Sequence, residues 1–159
     1  MYGVLDVCRY VINYSAKYGG ISNLKLQKIL YFIQAQFLIS KNKACFHERI
    51  EAWDFGPVVP KAYHEYKQYG AMTIPIVGFY FEADSNNLWS VEKKIFDENI
   101  ISKNDRKTID YVVDLFANYS ATSLVDLTHR QDPWKNNYYA GVNCIITNDE
   151  IKRYFDGKQ

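Results

Sequence analysis

A mainly α fold, a single compact domain of about six helices with a small β-hairpin or short sheet, is what this sequence predicts. Three observations carry that reading. Apolar residues recur at helical spacing through most of the chain. One pair of β-branched and aromatic runs, "IPIVGFYFEA" and "LWSVEKKIF", flanks the turn-forming "DSNN". The 159 residues show no repeat, low-complexity tract or linker, which fits one domain over 1–159. A chain of this length buries enough surface to need neither disulfides nor a metal for stability.

The elements follow in order. Val4, Val7, Val11, Tyr14 and Tyr18 share one face of a first helix, Val4 to Tyr18, with Leu5, Cys8 and Ile12 on an adjoining face. It is apolar around so much of its circumference that burial is expected, and Gly19-Gly20 ends it. Ser22 or Asn23 caps a second helix, Leu24 to Ser40, whose core stripe is Leu26, Leu30, Ile33 and Phe37. Beside that stripe runs a second one of Gln27, Tyr31 and Gln34, either a solvated edge or a polar surface ordered against another element or a partner. An extended piece, Ile50 to Phe55, precedes a Gly-Pro turn, and Pro57 or Pro60 suits the first turn of a helix that stops at Gly70. The paired runs form a hairpin between Ile74 and Phe96, within a variable insertion around 72–99. Its second strand competes with a helix start at "VEKKIF". Ser102 or Asn104 caps a helix from Asp105 to Tyr119, and Thr122 or Ser123 starts a short one through Leu127. "HRQDPW" breaks it, because Pro133 disfavours helix at Asp132. Thr147 with Glu150 is a capping-box spacing that opens a last helix through Phe155.

Composition narrows the function. An apolar fraction of 48% and a charged fraction of 23% are those of a soluble globular protein. Its 14 Tyr, 9 Phe and 3 Trp suit both cores and partner-facing patches, since Tyr joins a large ring to a hydrogen-bonding tip. A net charge of +1 argues against nucleic acid as the main partner, which calls for a basic stripe. The densest basic group, Lys25, Lys28, Lys41 and Lys43, reads as a solvated helix face and its exit. Three cysteines without metal spacing, no signal-peptide pattern and no apolar run of about 18 residues predict a reduced cytoplasmic setting and no membrane partner.

Chemistry-bearing motifs are sparse. His47-Glu48 matches half of HExxH, but position 51 is Glu. Cys45, His47 and His64 lack a fourth ligand at metal spacing, and no glycine-rich phosphate loop occurs. No catalytic residue, metal or cofactor is therefore assigned. "WDFGP", Trp53 to Pro57, reads instead as a rigid corner pinned by Trp53 near Gln27 or Gln34. It either serves the fold alone or presents a shaped aromatic surface. "THRQDPW" reads as a helix end where His129 caps carbonyls and Trp134 anchors a turn, which also suits an interface.

Four blocks appear in order: "SNLKLQKILYFIQAQ" (Ser22 to Gln36), "FHERIEAWDFGPVVPKAYHEY" (Phe46 to Tyr66), "THRQDPW" and "TNDEIKRYF" (Thr147 to Phe155). Together they resemble the Panacea antitoxin domain family of GepA-like and SocA-like proteins. The family pattern falls on Asn23, Leu24, Lys25, Leu26, Gln27, Lys28, Tyr31 and Gln34. It continues on Glu51, Ala52, Trp53, Gly56, Pro57, Val58, Pro60 and Tyr63, then on Thr128, His129, Pro133 and Trp134. The resemblance implies a mainly helical cytoplasmic protein of bacteria, phages or mobile elements that binds and suppresses a protein toxin encoded by a neighbouring gene. It also implies that some relatives act as adaptors delivering the toxin to a AAA+ protease. Alternatives are an inhibitor of a host defence protein and a nucleic-acid-binding regulator. The partner-binding residues expected are Lys25, Gln27, Lys28, Tyr31, Gln34, Trp53, Asp54, Pro57, Tyr63, His129 and Trp134.

Overall fold

A computed structural model describes residues 1–158 of the chain. Helix α2, Asn23–Lys41, is the central element: α1 (Val4–Tyr14), α3 (Pro60–Tyr66), α4 (Lys103–Leu115), α5 (Ala121–His129) and α7 (Asn148–Asp156) all pack against it. Its burial extends around most of its circumference, so Leu26, Leu30, Ile33 and Phe37 are 0% exposed. Each such side chain contributes roughly 1.5–3 kcal/mol by leaving water. Ser22 caps it, its hydroxyl oxygen accepting from Lys25 N at 3.3 Å, and Asn42 closes it in the left-handed conformation at φ 53°.

The first helix is shorter than its pattern suggests. It ends at Tyr14 and tightens into a 3-10 turn, Ser15–Tyr18, before Gly19 turns left-handed at φ 90°. Its tyrosines reach across to α4: Tyr10 donates to Asp110 at 2.7 Å and Tyr14 to Asp114 at 2.9 Å. Helix α4 starts at Lys103 with Ser102 as its cap, and α5 is capped by Ser120 rather than by Thr122 or Ser123. The chain does not simply break at "HRQDPW". Asp132–Lys135 forms a one-turn helix, α6, with Pro133 in the first turn, where a missing N–H leaves nothing unpaired. Seven α-helices therefore stand among the described residues where six were expected. The Thr147–Glu150 capping box forms in full.

Two sheets complete the fold. β3 (Phe79–Asp84) and β4 (Asn87–Ile95) make the expected hairpin, and the "VEKKIF" stretch is strand rather than helix. The other sheet was only half foreseen. β1 (Ile50–Trp53) turns back through Asp54-Phe55 into β2 (Gly56–Val58), and β5 (Cys144–Ile146) adds on its other side, in the order β2-β1-β5. Pro57 fits because β2 is an edge strand, where a proline without N–H is tolerated. Among the described residues, no helix is long and apolar enough to cross a membrane.

Candidate functional site

The β1–β2 hairpin and the first turns of α2 enclose a groove of about 410 Å³. Asn23, Leu24 and Gln27 of α2 line it together with Ala52, Trp53 and Val58 of the sheet and Tyr63 of α3. Asp54, Phe55 and Lys67 contribute from the turns, and Tyr138, Val142 and Asn143 from the segment leading to β5. Most of the lining is apolar, with single polar groups at the edges.

Three devices give the groove its shape. The first is a relay of amides. Gln27 Oε1 accepts from Val59 N at 3.1 Å, Gln27 Nε2 donates to Asn23 Oδ1 at 2.9 Å, and Asn23 Nδ2 donates to the Tyr63 carbonyl at 3.1 Å. The relay locks α2 to the exit of the hairpin and to α3. The second is Trp53, which packs edge-on against Tyr63 at 5.0 Å between centroids and donates its Nε1 to Glu51 Oε1 at 2.9 Å. The third braces the hairpin from α6. Trp134 Nε1 donates to the Trp53 carbonyl at 2.8 Å, and the Trp134 ring lies stacked between His129 (3.9 Å) and Tyr138 (4.6 Å). The Tyr138 hydroxyl then donates to Asp54 at 2.5 Å, and that bond to a carboxylate raises its pKa.

Beneath the groove lies a buried amine. Lys28 is 0% exposed, and its Nζ donates to the Pro57 carbonyl at 2.8 Å. Burial pushes its pKa down to about 7, with no neighbouring carboxylate contributing. Its aliphatic chain occupies the space that a side chain at Gly56 would need. A Cβ there would sit 2.9 Å from Lys28 Cε and 2.7 Å from Thr128 Oγ1, at a φ of +100°. The glycine of the "WDFGP" block is thus required on both counts. Gly56→Ala is expected to lower stability by about 2–3 kcal/mol, read as a reduced urea midpoint; an unchanged midpoint would show that Lys28 and Thr128 yield freely.

The expected contact residues divide into four groups. Gln27, Trp53, Asp54 and Tyr63 line the groove together. Pro57 and Lys28 underlie it, and His129 and Trp134 brace it. Lys25, Tyr31 and Gln34 lie elsewhere. Lys25 Nζ donates to the Ala117 carbonyl at 3.3 Å beyond the end of α4, and the Tyr31 hydroxyl donates to Gln131 at 3.0 Å. Gln34 is bonded to the backbone of Cys45 and Phe46 and to Asn148.

Several readings are corrected by this arrangement. The Gln27, Tyr31 and Gln34 stripe is no solvated edge, because all three are at most 1% exposed and each is paired within the chain. Lys28 does not belong to a solvated basic face, and Lys41 is tied to Asp105 at 2.6 Å. His129 does not cap carbonyls. It stacks on Trp134, and its Nε2 is buried without a hydrogen-bond partner. Cys45 is fully buried, its thiol pushed up by desolvation, and His47 stands exposed beside Glu48. Among the described residues no three His, Cys, Asp or Glu side chains gather as a metal site.

Phe55, Lys67, Tyr138, Val142 and Asn143 were not foreseen as lining residues. Its place inside the quoted "WDFGP" block was the available signal for Phe55, which the structure leaves 65% exposed. The others come from separate segments that only folding brings here.

Comparison with known proteins agrees with the residue pattern. The family model described as antitoxin SocA-like, Panacea domain, matches residues 26–135. Antitoxin SocA of Caulobacter vibrioides (strain NA1000 / CB15N) is 51% identical over 43 residues. That match covers 27% of this chain and spans only 23% of the length of the relative. No solved structure matches. The β1–β2 hairpin, α3 and the bracing Trp134 all fall within the matched residues, and the chain belongs to the SocA-like antitoxin family with a Panacea domain.

Proposed function

We propose that this protein is an antitoxin that neutralises a protein toxin, the product of a neighbouring gene, by direct binding at the Trp53 groove. The groove carries the reading within a family of antitoxins. It is a concave, mostly apolar surface held rigid by the amide relay and by the Trp134 brace. A surface organised before binding loses little entropy on association, and aromatic residues beside a desolvated pocket are the usual strong contacts of interfaces. In this reading residues 1–159 act as one domain, and the 72–99 stretch is the part free to vary with the partner.

The test is co-expression with the product of the neighbouring gene, following growth, co-purification and toxin abundance. Growth rescue with a stable complex and undiminished toxin is the expected result. Rescue with falling toxin levels would point to delivery to a AAA+ protease instead. Phe55→Ala removes an exposed rim ring and is expected to weaken toxin binding roughly tenfold or more while leaving the unfolding midpoint unchanged. Failure of the wild-type protein either to rescue or to co-purify would overturn the proposal.

A further inference from the structure

Strand β5 is an edge of the three-stranded sheet, and its backbone is open at one residue. Pro57 has no N–H, so Ala52 and Pro57 face each other as a non-hydrogen-bonded pair, and Glu51 and Trp53 make the β1 bonds to β2. Backbone groups alternate sides along a strand, so Ile50 and Ala52 bond to Ile146 and Cys144 of β5. The N–H and C=O of Ile145 therefore point away from β1, and no group among the described residues answers either of them. Ile145 is 53% exposed, and Val142 and Asn143, just before the strand, line the Trp53 groove. Edge and groove are thus continuous. Two amides inside the groove add free donors. Asn23 and Gln27 are 3% and 1% exposed, and each side-chain nitrogen carries two hydrogens. One hydrogen of each goes to the relay, and the other has no acceptor among the described residues.

We infer that the element of the toxin held here is an extended segment, added to β5 as a fourth strand at Ile145 and continuing past Asn143 into the groove. This rests on the antitoxin reading above and names the part of the toxin it recognises. A peptide backbone carries the N–H and C=O groups that the edge lacks and the carbonyls that the two amides lack. Main-chain bonds then supply affinity, and alternate side chains entering the apolar groove supply selectivity. A second copy does not meet this geometry. Two β5 strands paired about Ile145 would set Asn143 against Thr147, whose N–H is held by Glu150 and whose carbonyl accepts from Ile151 N. That pairing stops after one residue pair and leaves the groove empty. Nor does the chain hold a free extended segment to lend: among the described residues β3 pairs with β4, and residues 74–77 are tied to Ile21 and Asn13.

Titration of the full chain with purified toxin, and with overlapping short synthetic peptides spanning the toxin sequence, tests the inference. One peptide is expected to bind and to compete with the intact toxin. N-methylation of that peptide, one residue at a time, should weaken binding at alternate positions only, because one side of an added strand faces β5. On the antitoxin, Ile145→Pro removes the outward N–H but neither bonded pair with β1. It is expected to weaken toxin and peptide roughly tenfold or more while the unfolding midpoint stays near wild type. Ile145→Val, which keeps the N–H, keeps the affinity. If the intact toxin binds and Phe55→Ala weakens it, but no peptide competes or N-methylation shows no alternation, this inference falls and the groove stands. A wild-type protein that binds no toxin overturns both. A concentration-dependent dimer that Ile145→Pro abolishes would assign the edge to a second copy and overturn the inference.

Discussion

Trp134→Ala is expected to lower stability by about 3 kcal/mol and to loosen the rim of the groove at the same time. The indole fills a slot between His129 and Tyr138, and its Nε1 satisfies the Trp53 carbonyl at the point where β1 enters its turn. Removing the ring leaves a cavity, an unpaired carbonyl and a Tyr138 that no longer has a stacking partner to aim its hydroxyl at Asp54. Trp134→Phe separates the two contributions. It keeps most of the stack and loses the hydrogen bond, for a cost of about 1 kcal/mol. Urea unfolding reads both values, and hydrogen exchange at Asp54 and Phe55 reads the loosening. A wild-type midpoint in Trp134→Ala would show that the hairpin needs no brace.

Lys28→Met should stabilise the protein in mild acid and lose that advantage as pH rises. In the folded chain the ammonium titrates near 7, against an ordinary value of 10.5. Between those values the unfolded chain holds a proton that the folded chain has released, so the contribution of Lys28 to stability rises with pH. Below about 7 both states hold the proton, and the cost of burying the cation is present in full. Methionine has similar length and no charge. It removes that cost while leaving the Pro57 carbonyl without its donor, a loss of about 1–3 kcal/mol.

The gap between variant and wild type is therefore expected to move by about 2 kcal/mol toward wild type between pH 7 and 9. Comparing the two proteins at each pH matters, because other groups bend the absolute curve. Burial raises the thiols of Cys8 and Cys45 and the phenols of Tyr31 and Tyr66. Their stabilisation is complete below their ordinary values near 9 and 10 and is lost above them. A pH-independent gap between Lys28→Met and wild type would show that the amine is not held neutral by burial.

Local signals proved legible where the determining physics is local. The Ser22 cap, the left-handed Gly19, the Thr147–Glu150 capping box and the "DSNN" hairpin all depend on residues within a few positions of one another. The apolar stripe of α2 was equally readable, because its period is set by the helix itself. The partners of the polar stripe were not. Gln27 answers Val59, Tyr31 answers Gln131, and Gln34 answers Cys45 and Asn148. A buried amide paired with a distant backbone looks the same in sequence as a solvated one.

Strand β5 shows the same limit. Three residues are too few to display an alternating pattern, and "CII" becomes strand because β1 offers a free edge to Ile146, Ile145 and Cys144. The groove is the fullest case. By itself the amino-acid sequence determined the family, the helical core and the unusual Trp-Asp-Phe-Gly-Pro block, since each is written in contiguous residues. Tertiary structure alone decided that Lys28 lies beneath that block, excluding any side chain at Gly56, and that Trp134 and Tyr138 prop it open. Those contacts arise from packing and from the need to pair buried polar groups, which act between segments far apart in the chain and leave no local pattern.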